Sequence, residues 1–138
     1  MNGVFAGTFY WIALAGSNDS AHRRAVALSA EREGAAIVTT DEVLAEYLTF
    51  FSAAPESVRR GGAVGVRRIL ANPLIGVVPQ SRASFLAGLD LYINRPDKRY
   101  SLVDCISMQT MRQEGLTDVL TNDRHFEQEG FRALFREA

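Results

Sequence analysis

Tyr100-Ser-Leu-Val-Asp104-Cys-Ile-Ser-Met-Gln-Thr-Met111 reads as a helix with a single acid set into its apolar part. Leu102, Val103, Cys105, Ile106, Met108 and Met111 recur at helical spacing and supply a broad face for burial. Ser101 is placed to cap this helix, so Asp104 falls third, in the first turn. A carboxylate there is stabilised by the positive end of the helix, and taken alone it asks for no other role. What makes Asp104 a candidate for chemistry is the company it keeps elsewhere in the chain.

Working outward, short apolar runs alternate with helical patterns. Gly3-Val-Phe-Ala6, Ala35-Ala-Ile-Val-Thr39, Leu74-Ile-Gly-Val-Val78 and Asp118-Val-Leu-Thr121 read as strands, and Gly130-Phe-Arg-Ala-Leu-Phe135 as a fifth at the edge. Thr8 is read as the cap of the aromatic helix beginning Phe9-Tyr-Trp, and Ser20 as the cap of a helix running to Glu33, with Ala21, Ala25, Leu28 and Ala27 inward. Thr40 or Asp41 opens a helix through Phe51, in which Glu46 stands among Val43, Leu44, Tyr47 and Leu48. Gly61, Gly62 and Gly65 predict a loose or kinked helix over 57–70, each costing up to about 1 kcal/mol. Ser81 begins one that ends near Leu91. The alternation predicts a single α/β domain over 1–138, a three-layer α/β/α sandwich on a four- to five-stranded parallel sheet.

The 138 residues suffice for one full core, and 47% hydrophobic with 22% charged residues is an ordinary globular composition. The net charge of −1 offers no bulk attraction for a polyanion, but residues 57–103 hold eight basic side chains against two acids. Seven of the eight are arginines, whose planar fork suits phosphate; an arginine-favouring genome would give the same bias. The lone cysteine, Cys105, lies in the apolar helix and reads as a small core residue, with no Cys/His cluster for zinc. No apolar run approaches the roughly 20 residues of a membrane span. Nor does Met1-Asn-Gly-Val-Phe-Ala have the basic start of a secretion signal, so a cytoplasmic protein is expected.

In a parallel sheet, ligands bind beyond the carboxyl ends of the strands. Three acids fall at that rim: Glu46, Asp104 and Asp123, the last of which could equally be a turn or capping residue. Converging carboxylates repel unless a cation neutralises them. With no lysine among them, hard oxygen donors point to Mg²⁺ or Mn²⁺.

Four segments together resemble the PIN-domain ribonucleases, especially the toxin half of VapBC-type toxin–antitoxin pairs. They are Phe5-Ala-Gly-Thr-Phe-Tyr-Trp-Ile-Ala-Leu14, Thr39-Thr-Asp-Glu-Val-Leu-Ala-Glu46, Tyr100 through Met108, and Leu120-Thr-Asn-Asp-Arg-His-Phe126. The resemblance implies an Mg²⁺- or Mn²⁺-dependent endoribonuclease in which a metal-activated water cuts RNA. By motif position it assigns Glu46, Asp104 and Asp123 as metal-site carboxylates and Thr8 as a hydroxyl positioning a water or an acid. Arg124 and Ser101 become candidates for contacting the RNA backbone. It further implies a small antitoxin and a homodimer as partners, with the helix of Phe9, Tyr10 and Trp11 and the 57–70 helix as places for such contacts; Trp11 is assigned to the core.

The departure is Gly7, where the family carries an aspartate that ends strand one. Loss of that ligand predicts weakened metal binding. The alternatives are a site working through its remaining acids, a disabled nuclease, or a catalytically lapsed PIN-fold module that binds RNA or protein. A phosphotransfer domain on a similar sheet is set aside: Gly7-Thr8-Phe9 has no acid, and Lys98 follows a helix rather than a strand.

Overall fold

The computed structural model describes residues 3–137. Its order is β1 (Val4–Ala6), α1 (Thr8–Ala15), α2 (His22–Glu31), β2 (Ile37–Thr40), α3 (Asp41–Phe50), α4 (Glu56–Ala71), β3 (Ile75–Val78), α5 (Arg82–Asn94), α6 (Leu102–Glu114), β4 (Asp118–Leu120), α7 (Arg124–Gln128) and β5 (Arg132–Ala133). A 3-10 turn over Leu134–Arg136 follows. The five strands are all parallel, in the order β3-β2-β1-β4-β5, with helices packed around them. The fifth strand is thus present, shortened to two residues.

β1 runs down the middle of the sheet, and Val4, Phe5 and Ala6 are wholly buried. Its apolar run without polar alternation is what a strand covered on both faces requires. Beside it, the buried Thr39 hydroxyl donates to the Ala6 carbonyl (2.8 Å) and accepts from Trp11 Nε1 (3.3 Å), so neither polar group is stranded. Trp11 therefore belongs to the core, as expected.

Local chemistry set most boundaries. Thr40 caps α3 by accepting from Val43 N–H (3.0 Å), and Ser81 caps α5. Two expected caps are corrected. Gly7, not Thr8, is the N-cap of α1, and Thr8 is its first helical residue. Ser20 caps nothing: α2 starts after Ala21, whose N–H is taken instead by the Asp19 carboxylate (2.8 Å), and Ala27 faces solvent. The α5 helix also outruns Leu91, to Asn94.

The expectation of a loose helix over 57–70 also fails, because α4 is a continuous helix of 16 residues. The reason is packing. Gly62 is buried with its bare face on α3, where an added Cβ would stand 3.2 Å from the Phe51 ring. The glycine lets α4 approach, and burial of that contact outweighs a propensity cost of about 1 kcal/mol.

Two contacts fix α6, the helix carrying Asp104. On one side it lies against α5, where a Cβ on Gly88 would meet Ile106 Cγ1 at 2.4 Å and the Ile106 backbone at 3.1 Å. At its foot, the Glu129 carboxylate, 5% exposed, gathers three donors: Arg95 from the end of α5 (2.9 and 3.1 Å), the Tyr100 hydroxyl (2.8 Å) and Arg112 of α6 (3.0 Å). Burial alone would raise the Glu129 carboxyl, but these hydrogen bonds and charges win and hold it down at about 2. The same neighbourhood, burial first and then the Glu129 bond, makes the Tyr100 hydroxyl hold its proton.

Gly88→Ala is expected to lower stability by about 1–3 kcal/mol in urea denaturation, because the branched Ile106 side chain must shift close to its root with the Ile106 backbone tight behind it. Glu129→Gln leaves two guanidinium groups without their counter-charge and is expected to cost ~2 kcal/mol at pH 7. A depressed carboxyl stabilises the fold above its unfolded value and loses that contribution as pH falls. The wild-type and Glu129→Gln unfolding curves should therefore converge between about pH 4.5 and 2.

Candidate metal centre

The carboxyl ends of β1, β2 and β4 face one way, and the segments leaving them line a cleft of about 330 Å³. Gly7 and Thr8 come from the start of α1, Glu46 from α3, and Asp104 with Ser107 from α6. Thr121, Asn122 and Asp123 come from the turn after β4. All four proposed chemical residues (Thr8, Glu46, Asp104 and Asp123) are thus brought to one place.

Asp104 is held by a reciprocal cap. Its N–H donates to Ser101 Oγ (3.0 Å), and its carboxylate accepts from Ser101 N–H (3.3 Å). One side chain thus both caps α6 and lines the cleft. Burial, and next the charge of Asp123, push the Asp104 carboxyl above its ordinary range; Ser101 pulls it back, and Glu46 adds a smaller push. Burial and the neighbouring Asp104 raise the Cys105 thiol to about 11, so Cys105 is an inert buried thiol.

Asp123 sits just before α7, where its Oδ1 accepts from His125 N–H (2.9 Å) and its own N–H donates to Thr121 Oγ1 (3.2 Å). Glu46 is exposed rather than sunk in the apolar face of its helix, and its Oε1 accepts a 2.5 Å hydrogen bond from the Thr8 hydroxyl. The hydroxyl thus orients an acid, one of the two roles expected of it. Ser101 spends its hydroxyl on Asp104. Arg124 is exposed outside the cleft lining and has no ion pair among the described residues.

His125 did not stand out in the sequence, yet its Nδ1 lies 3.3 Å from Asp123 and 3.9 Å from Asp104. One ligand atom from each of Asp104, Asp123 and His125 lies within 4.8 Å of the others. Nδ1 is shielded from solvent and has no hydrogen-bond partner. Two carboxylates repelling across a partly buried gap, beside an orphaned imidazole nitrogen, fit a divalent cation. The sequence signal was the Asp-x-His spacing in a strand-end loop. Position 7 leaves an opening: a Cβ there would meet only the Leu120 carbonyl, at 3.8 Å.

Residues 8–131 match the family described as PIN domain. Among solved structures, that of Mycobacterium tuberculosis VapC20, a sarcin–ricin loop cleaving toxin, shares this fold with a TM-score of 0.83. The alignment covers 93% of this chain and 95% of that one at 23% identity. No curated protein sequence matches significantly. With the family match spanning most of its length, the chain belongs to the PIN-domain family.

Proposed function

We propose that this protein is a divalent-metal-dependent endoribonuclease, the toxin of a toxin–antitoxin pair, which hydrolyses RNA phosphodiesters. The observation that carries this reading is the convergence of Glu46, Asp104, Asp123 and Thr8 in one cleft at the carboxyl rim of the sheet. Asp104 and Asp123 would hold the ion, with Glu46 completing the carboxylate set. When bound, Mg²⁺ or Mn²⁺ would supply a water of lowered pKa and neutralise phosphate charge. Glu46, steadied by the Thr8 hydroxyl, would stand at the cleft as a carboxylate able to accept a proton. Arg124, exposed beside Asp123, is free to meet the RNA backbone, while Ser101 acts by fixing Asp104.

Gly7 favours a second reading, a lapsed PIN-fold module that binds RNA or protein without cutting. A homodimer and a small antitoxin belong to the proposal, supported by exposed Phe50, Leu70, Leu74, Leu86 and Ile93. Among the described residues no helix is long and apolar enough to cross a membrane, and we infer that the protein works in the cytoplasm.

Cleavage of total RNA, and of a sarcin–ricin loop oligonucleotide suggested by the relative's target, tests the reading. Slow cleavage is expected from the wild type, and cleavage faster by about tenfold or more from Gly7→Asp, which restores a ligand in open space. Failure of both with any divalent ion would sink the nuclease reading. Asp104→Asn should abolish cleavage and metal-induced stabilisation. Because the site disfavours the charged Asp104, the same change should raise the metal-free Tm by a few degrees in a thermal scan.

A further inference from the structure

Gly7 takes one oxygen donor out of the cleft, while α7 brings in a donor of another kind. The His125 ring is turned back toward the acids. It is held there by packing: the Tyr100 ring meets it edge-on at 5.3 Å, and Tyr100 is itself pinned by Glu129 at 2.8 Å. No hydrogen bond occupies Nδ1. A side chain fixed in place with an idle, water-shielded nitrogen is arranged as a metal ligand is, with its orientation supplied from outside the coordination sphere. The 4.8 Å spread of the three ligand atoms is one that small rotations bring to about 2.1–2.3 Å from a common ion.

We propose that His125 is a metal ligand of this chain. With Asp104 and Asp123 it forms an oxygen–nitrogen site that takes a first-row transition-metal dication in preference to Mg²⁺. The donor set carries the preference. Mg²⁺ demands hard oxygen donors and sheds water reluctantly, whereas imidazole nitrogen favours transition metals. A neutral imidazole also leaves the site less negative than a carboxylate at position 7 would, which weakens the electrostatic pull on which a hard ion relies. The proposal rests on the reading of Asp104 and Asp123 as the metal centre and makes this chain's missing carboxylate a change of metal rather than a loss of one.

The test uses the metal-stripped full chain, titrated calorimetrically with Mg²⁺, Mn²⁺ and Co²⁺, and pulsed electron paramagnetic resonance of the Mn²⁺ form. Mn²⁺ and Co²⁺ should bind about tenfold or more tighter than Mg²⁺, and the Mn²⁺ spectrum should show a directly coordinated nitrogen. His125→Ala should erase the nitrogen signal and weaken Mn²⁺ and Co²⁺ binding by a much larger factor than Mg²⁺ binding, removing most of the preference. His125→Asn, which keeps a polar side chain against Tyr100, should also erase the signal. Bound Mn²⁺ without coupled nitrogen, or equal Mg²⁺ and Mn²⁺ affinities in the wild type, overturns the proposal. So does metal binding that appears only in Gly7→Asp, an outcome that spares the carboxylate site. Silence from both wild type and Gly7→Asp removes the metal reading beneath it. Nitrogen-ligated Mn²⁺ without RNA cleavage would instead uphold the site and remove the ribonuclease.

Discussion

Repulsion between carboxylates is the constraint around which this molecule is built. Burial and the charge of Asp123 raise the Asp104 carboxyl, and no lysine or arginine lines the cleft they share. The fold tolerates this because α1, α6 and α7 all begin at the cleft. The positive end of a helix offsets part of the charge before any ligand arrives. Every strand before these helices is parallel, so the arrangement is a property of the topology and would be lost in an antiparallel sheet.

Glu129 shows the opposite treatment of a carboxylate a short distance away. It is more buried than either acid of the cleft, yet it is held strongly ionised, because two guanidinium groups and a phenol converge on it. One carboxylate brings its counter-charge in the sequence and is structural. The pair in the cleft does not, and is left with an unmet demand for positive charge. The two are joined through Tyr100, which binds Glu129 and packs on His125, so the Glu129 cluster braces the wall of the cleft.

Much of this was legible in the residues. Strands alternating with helices imply a parallel sheet, and the Ser101–Asp104 cap could be read from spacing alone, because it depends only on neighbours in sequence. Glu46 and Asp123 stand out by their places after strands, and Asp104 as the single acid in an apolar helix. What the chain order hid was decided by competing local bonds and by contacts between separate elements. Ser20 has cap chemistry, but the nearby Asp19 takes the turn's N–H instead. The glycines of α4 look like helix breakers until Phe51 of α3 is found against one of them. His125 escaped because a residue two places beyond an aspartate has no period to mark it. The turn that Asp123 makes with the His125 N–H, together with the Tyr100 ring packed on it, sets the imidazole toward the acids.

The sheet order has a consequence for biosynthesis. β1, the first strand in chain order, hydrogen-bonds to β2 and to β4, which are separated from it by about thirty and more than a hundred residues of chain. A nascent polypeptide that has emerged only as far as α6 holds Glu46 and Asp104 but neither Asp123 nor the strand that orders its loop. The cleft therefore closes on its last acid only when translation has passed β4 and α7. The most non-local of β1's pairings, with β4, is thus also the one that brings Asp123 to the cleft, so an incomplete chain at the ribosome lacks the full set of acids.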